Sequence, residues 1–118
     1  MIYDYRPLPP FLTIKESPID GLGLFATDFI PVGVDYGDKD MLTHVKVVYN
    51  NLLIRSVLGG LGNFSSTPNA TIDYVTEANG LVFYKMRFLR DIKAGEEITL
   101  DYRECAKTME LDFEINFK

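Results

Sequence analysis

The segment Ile92–Tyr102, with the sequence IKAGEEITLDY, decides the fold of this 118-residue chain. Its first part, Lys93–Glu96, is typical of a turn, because glycine adopts backbone angles that other residues avoid. In its second part Ile98, Leu100 and Tyr102 alternate with polar residues. This period of two predicts a half-buried strand that runs as far as Tyr102.

Further strands are predicted on both sides of this segment. A hairpin is expected from Ala70–Thr76 and Leu81–Leu89, because Asn79-Gly80 between them suits a type I′ turn. Asn50–Leu58 is ambiguous and could form a short helix. Other strand-like runs are Phe11–Lys15, Leu22–Ala26, Val45–Tyr49 and Leu111–Phe117. Without a long amphipathic pattern or a linker, residues 1–118 are predicted to form one mostly-β domain of many short strands.

Composition and charge restrict the classes of partner. A net charge of −5 disfavours nucleic acid, which needs clustered Lys and Arg, and favours cations or basic protein segments. The same charge could instead serve only to keep the protein soluble. The single cysteine excludes a disulfide framework and a multi-cysteine zinc site, and we expect no metal. With neither a signal sequence nor an apolar run of about 20 residues, a complete, soluble, intracellular protein without membrane contact is expected.

Two other segments share the turn chemistry of the first. They are Asp20–Ala26 (DGLGLFA) and Asn63–Asn69 (NFSSTPN). Each segment alone is weak evidence for a function, since Gly-x-Gly and Asn-rich turns are common. In this order and spacing, the three segments resemble the motifs of the SET-domain protein lysine methyltransferases, over about residues 11–102. The likeness is closest to the compact viral and bacterial members, which lack cysteine-rich flanks.

The chain also departs from the family pattern. Phe64 stands where the family has His, and Ser66 stands where it has Cys. The Arg that often precedes the Asn-His pair is replaced by the cluster Gly59–Gly62. The segment between Tyr36 and Asn63 is short, so the substrate-binding insert is minimal.

The resemblance implies a fold and a cofactor. The fold would be the SET β-clip, several short sheets with a pseudoknot-like C-terminal threading. The cofactor would be S-adenosyl-L-methionine, and backbone at Gly21, Leu22 and Gly23 would contact its methionine end. Asn63 would hold the methionine moiety through its side chain, while backbone groups at Asn63 and Phe64 would bind the adenine edge.

The resemblance also implies the reaction, which is methyl transfer to a lysine side-chain amine in a protein substrate. Tyr102 would be the catalytic residue. Aromatic side chains would line the lysine channel, and the candidates are Tyr36, Tyr74, Phe113 and Phe117, although each is individually more typical of a core. The target lysine is expected in a basic segment. The tail, residues 103–118, would close the channel or form a homodimer interface. A viral member would act in the host cytoplasm or nucleus.

Two alternatives stay open at this point. The chain could be a non-catalytic β-clip binding module that has lost cofactor binding and recognises a partner or carbohydrate, as Phe64, Ser66 and the missing Arg would suggest. It could also be a structural subunit that acts through its strand edges. His44 and Cys105 are isolated in the sequence, and neither is assigned a catalytic role.

Overall fold

The computed structural model describes residues 8–33, 41–50 and 52–109. Within these ranges the chain forms eight strands and two short helices. In chain order they are β1 Leu12–Glu16, β2 Leu22–Ala26, β3 Leu42–Val47, β4 Leu52–Arg55, α1 Val57–Gly60, β5 Asn63–Phe64, β6 Ala70–Ala78, β7 Leu81–Phe88, β8 Glu97–Leu100 and α2 Tyr102–Thr108. The prediction of a mostly-β fold with several small sheets is confirmed.

The first sheet brings the three sequence segments together. Its strand order is β1-β2-β8-β5. β8 pairs antiparallel with β2, with Leu24 opposite Ile98, and parallel with β5, with Asn63 opposite Thr99. The segment that ends in Tyr102 therefore lies between the Gly-x-Gly segment and the Asn-rich segment.

The second sheet contains the predicted hairpin. Its strand order is β4-β3-β7-β6, so β4 and β6 are its edges. Asn79 and Gly80 join β6 to β7 with φ values of 53° and 78°. Both angles are positive, as a type I′ turn requires, and the hairpin prediction is confirmed.

One hydrophobic core joins the two sheets. Alternate residues of β7 point into it, from Val82 to Phe88, and Ile98 and Leu100 enter it from β8. Leu12 and Leu24 of the first sheet belong to the same cluster as the residues of β7. Since β8 and α2 share this core with β7, and β3 pairs with β7, the positions of β3, β8 and α2 are fixed relative to one another.

The prediction that the strand runs as far as Tyr102 is wrong, because β8 ends at Leu100 and Tyr102 begins α2. Asp101 causes the change: its side chain accepts a hydrogen bond from the Arg103 backbone N–H and caps the helix. An N-cap satisfies a donor that a new helix would leave unpaired, and here this outweighs the alternation of the sequence.

The ambiguous segment Asn50–Leu58 divides between two elements. Its centre is strand β4, and its end enters α1, where Ser56 is the N-cap and accepts a hydrogen bond from Gly59. The tail strand expected at 111–117 lies outside the described residues, and the C-terminal threading stays a prediction. None of the helices within residues 8–33, 41–50 and 52–109 has the length and apolarity to span a membrane.

Candidate functional site

Asn63 connects the three segments through its side-chain amide. Nδ2 lies 3.1 Å from the Asp20 carbonyl oxygen, 3.3 Å from that of Leu22 and 2.8 Å from Oε2 of Glu97. All three neighbours are acceptors, so the amide must present its nitrogen to them. Within the described part of the chain, Oδ1 of Asn63 accepts no hydrogen bond. The oxygen is therefore available to a donor from a ligand.

Glu97 is a member of this junction that the sequence did not single out. Its carboxylate accepts a hydrogen bond of 2.7 Å from Ser17 Oγ in addition to the bond from Asn63. A Cβ on Gly23 would lie 3.0 Å from Nδ2 of Asn63 and against the Glu97 carboxylate. The requirement for glycine at position 23 thus comes from the protein's own side chains. Gly21 is different, because its φ is +43° and the space above it is open.

Tyr102 is held beside the junction at the start of α2. Its hydroxyl donates a hydrogen bond of 2.8 Å to the Gly62 carbonyl oxygen. Partial burial, and then the negative charge of Asp20, raise the pKa of the Tyr102 hydroxyl above its usual value. The hydroxyl is consequently neutral at physiological pH, and it can orient another group through its oxygen lone pairs.

Phe64 packs against the catalytic candidate. Its ring meets that of Tyr102 edge to face, with centroids 5.5 Å apart and an interplanar angle of 65°. The Arg103 guanidinium lies 5.6 Å from the Phe64 ring centre and pairs with Asp101 at 2.9 Å. This hydrogen-bonded pairing with Arg103 lowers the pKa of the Asp101 carboxyl. The ring of Phe64 thus contacts both Tyr102 and the Arg103 guanidinium.

A cleft of about 190 Å³ is lined by Tyr102 but not by Phe64. It lies between β3 and β4, the glycine cluster after them, the end of β8, and α2. Of the predicted site residues that the structure describes, Tyr102 alone lines it. The lining residues are His44, Leu53, Arg55, Gly59, Gly60, Gly62, Leu100, Tyr102, Cys105, Ala106 and Met109.

Of the four predicted channel residues, the structure describes Tyr74 alone, and Tyr74 does not line this cleft. Tyr74 lies on β6 opposite Tyr84, and 57% of its surface is exposed. The structure does not bring it to the cleft lining. Tyr36, Phe113 and Phe117 lie outside the described residues, so their assignment to the channel stays a prediction.

His44 and Cys105, which the sequence left without a role, both line the cleft. Burial, and then the charge of Arg55, lower the pKa of His44 to about 4. Burial raises the pKa of the Cys105 thiol to about 11, so it is not a thiolate nucleophile. Nothing in the sequence marks these positions, whereas Glu97 belongs to a segment already selected. Among the described residues, no group of three or more His, Cys, Asp or Glu could hold a metal ion.

Comparison with known proteins supports the fold. No protein-family model matches the chain, and no curated protein matches it either. Among solved structures, a candidate histone methyltransferase of Plasmodium falciparum is similar with a TM-score of 0.61 and 18% sequence identity. The match covers 80% of this chain and 95% of that one. At this identity the likeness establishes a shared fold.

Proposed function

We propose that this protein is an S-adenosyl-L-methionine-dependent protein-lysine N-methyltransferase with the SET β-clip fold. The observation that carries the proposal is the position of Tyr102. It packs against Phe64 of the predicted cofactor set and also lines a cleft that none of the other described cofactor residues reaches. A residue placed between two ligand sites suits the transfer of a group from one ligand to the other. The fold shared with a candidate histone methyltransferase agrees with this function.

The residues on the junction side of Tyr102 fit the cofactor. S-adenosyl-L-methionine carries a sulfonium and an ammonium, and the Glu97 carboxylate and Asp20 make this side of the site negative. The backbone at Gly21 is open to a ligand, and Oδ1 of Asn63 can accept a hydrogen bond from an ammonium. Gly21, Leu22, Gly23, Asn63 and Phe64 would hold the group, which when bound supplies an electrophilic methyl.

The residues on the cleft side of Tyr102 favour the neutral form of the attacking amine and can orient it. A free lysine amine has a pKa of about 10.4, so it must lose a proton before it can attack. Leu53, Leu100 and Met109 give the cleft apolar surface, which disfavours the charged form of the amine. Because the Tyr102 hydroxyl donates to Gly62, its lone pairs can accept an N–H of the neutral amine. The tyrosine thereby orients the amine with its nitrogen lone pair free to attack.

Calorimetric titration with S-adenosyl-L-methionine tests the cofactor half of the proposal. The wild-type protein should bind with micromolar affinity. Asn63→Ala should weaken binding at least about tenfold, because it removes the acceptor for the cofactor ammonium. A hydrogen bond to a charged group contributes about 1.5–3 kcal/mol, and about 1.4 kcal/mol corresponds to a factor of ten. Asn50→Ala is the matched control, since Asn50 caps the start of β4 through a bond to Leu52, away from the junction. Tyr102→Phe should retain cofactor binding and lose methyl transfer to lysine peptides, which mass spectrometry detects.

A non-catalytic binding module is the second candidate, and the packing of Phe64 favours it. The ring of Phe64 packs against Tyr102, and the Arg103 guanidinium lies over the Phe64 ring. If a folded wild-type sample shows no heat of binding with the cofactor at millimolar concentration, the enzyme proposal fails. The cleft would then be the binding site of a module that uses no cofactor.

A further inference from the structure

Arg55 differs from the other arginines that the structure describes. The others pair with carboxylates: Arg87 with Asp73, Arg90 with Glu96 and Arg103 with Asp101. Within residues 8–33, 41–50 and 52–109, Arg55 has no carboxylate partner, and it lines the cleft beside Tyr102. The described lining contains no Asp or Glu. The cleft therefore presents a positive charge that nothing in the described chain neutralises.

His44 places a polar ring nitrogen beside this charge. It is 6% exposed, and it lies directly opposite Arg55 in the β3–β4 pairing. The Thr43 hydroxyl can donate its one proton to the Tyr84 carbonyl oxygen, at 3.4 Å, and lies 2.9 Å from Nδ1 of His44. If Nδ1 carries the proton of the neutral ring, it donates to the Thr43 hydroxyl and Nε2 is an acceptor. If the hydroxyl donates to Nδ1 instead, Nε2 carries the proton and is a donor.

Nε2 of His44 faces the cleft. It has no hydrogen-bond partner in the described part of the chain, yet no fully buried nitrogen or oxygen of a described side chain lacks a partner. Nε2 consequently has contact with solvent, and the cleft is the open space that His44 lines. The cleft thus contains a cation without a carboxylate partner, Arg55, and a ring nitrogen without a hydrogen-bond partner, Nε2 of His44, within the described part of the chain.

We propose that Arg55 and His44 form a subsite for an acidic residue next to the target lysine of a protein substrate, an inference that rests on the proposed function. The carboxylate of that residue pairs with the Arg55 guanidinium, and a backbone polar group of the substrate forms a hydrogen bond with Nε2 of His44. The subsite belongs to the substrate because, among the described cofactor candidates, only Tyr102 reaches the cleft. A basic residue at the same position would meet an unpaired cation, so at this position the substrate differs from the basic segment expected from the net charge.

The subsite lies close to the reaction, because Arg55, His44 and Tyr102 line the same cleft. Burial and Asp20 raise the pKa of Tyr102, and the charge of Arg55 acts against this rise. Arg55 also acts on His44. Its charge therefore reaches both residues, and a carboxylate bound there is near the hydroxyl that orients the amine.

Charge reversal at Arg55 tests the proposal. Fluorescein-labelled peptides with one central lysine, flanked by Glu, Gln or Lys, are titrated by fluorescence anisotropy, and their methylation is followed by mass spectrometry. The wild-type protein should bind the Glu peptide about tenfold more tightly than the Lys peptide, and Arg55→Glu should reverse this order. Arg87→Glu makes the same change in net charge outside the cleft and should keep the wild-type order. His44→Asn should weaken all three peptides severalfold without changing their order.

The outcomes separate this inference from the proposed function. If Arg55→Glu keeps the wild-type order, or changes it no more than Arg87→Glu does, the subsite is refuted. If Arg55→Glu weakens S-adenosyl-L-methionine tenfold and leaves the peptide order unchanged, the cleft binds the cofactor carboxylate and the substrate assignment is wrong. If the wild-type protein binds no cofactor but the peptide order reverses in Arg55→Glu, the enzyme proposal fails and the acidic subsite stands.

Discussion

Burial of His44 should make the stability of the protein depend on pH. Burial, assisted by the charge of Arg55, lowers the pKa of His44 from 6.5 to about 4 in the folded chain. The unfolded chain takes up this proton near pH 6.5, whereas the folded chain takes it up only near pH 4. Between these values the unfolded state binds more protons, so stability falls as the pH falls. Above about pH 6.5 both states are neutral at this residue and nothing is lost.

The magnitude follows from the gap between the two pKa values. At about 1.4 kcal/mol per pH unit, the gap from 6.5 to about 4 corresponds to about 3 kcal/mol of lost stability below pH 4. At pH 5 the same linkage gives a loss of about 2 kcal/mol. Glu96 and Asp101, whose pKa values are lowered chiefly by Arg90 and Arg103, add their losses below their ordinary values of 4.5 and 3.8. The interval from pH 6.5 to pH 5 therefore reports on His44.

Urea unfolding at pH 7 and pH 5 measures this loss, with His44→Asn as the matched variant. Asn retains a donor near the Thr43 hydroxyl but does not titrate, so its stability should change little between the two pH values. The chain has one histidine, so a single imidazole NMR signal also gives the pKa directly. An imidazole that titrates near 6.5, or an equal loss of stability in wild type and His44→Asn, would refute the reasoning.

Two further substitutions test how the loop and the hairpin are held. Asn69→Ala should destabilise the protein by about 3 kcal/mol in urea unfolding, because the buried amide donates to the Glu97 carbonyl oxygen and accepts from the Thr99 N–H, each at 2.8 Å; a change below about 1 kcal/mol would contradict this role. Gly80→Ala should lower the thermal midpoint through a cost of about 1 kcal/mol, because φ is +78°. Gly60→Ala, in open space without a positive φ, should not lower it, and equal effects would show that the backbone angle is irrelevant.

Elements with a strong local signal could be predicted from the sequence. The hairpin turn could be predicted from the backbone angles that Asn79 and Gly80 tolerate, and β7 could be predicted from its period of two. The end of β8 was missed because alternation continues through Tyr102, while the capping bond from Asp101 starts a helix. The period of two favours a continued strand there, whereas the N-cap favours a helix. In the helix, the Tyr102 hydroxyl reaches the Gly62 carbonyl oxygen.

The sequence by itself determined the three segments that meet at Asn63, because their residue types and their order can be recognised without knowledge of the packing. Only the tertiary structure decided the cleft. His44 and Arg55 face each other because β3 and β4 pair, and the shared core brings them to Tyr102 at the start of α2. An isolated histidine has no periodicity to recognise, and an arginine without a carboxylate is visible only when the pairing of the other charges is known. Such properties arise from distances between remote residues, and the order of residues along a chain does not contain them directly.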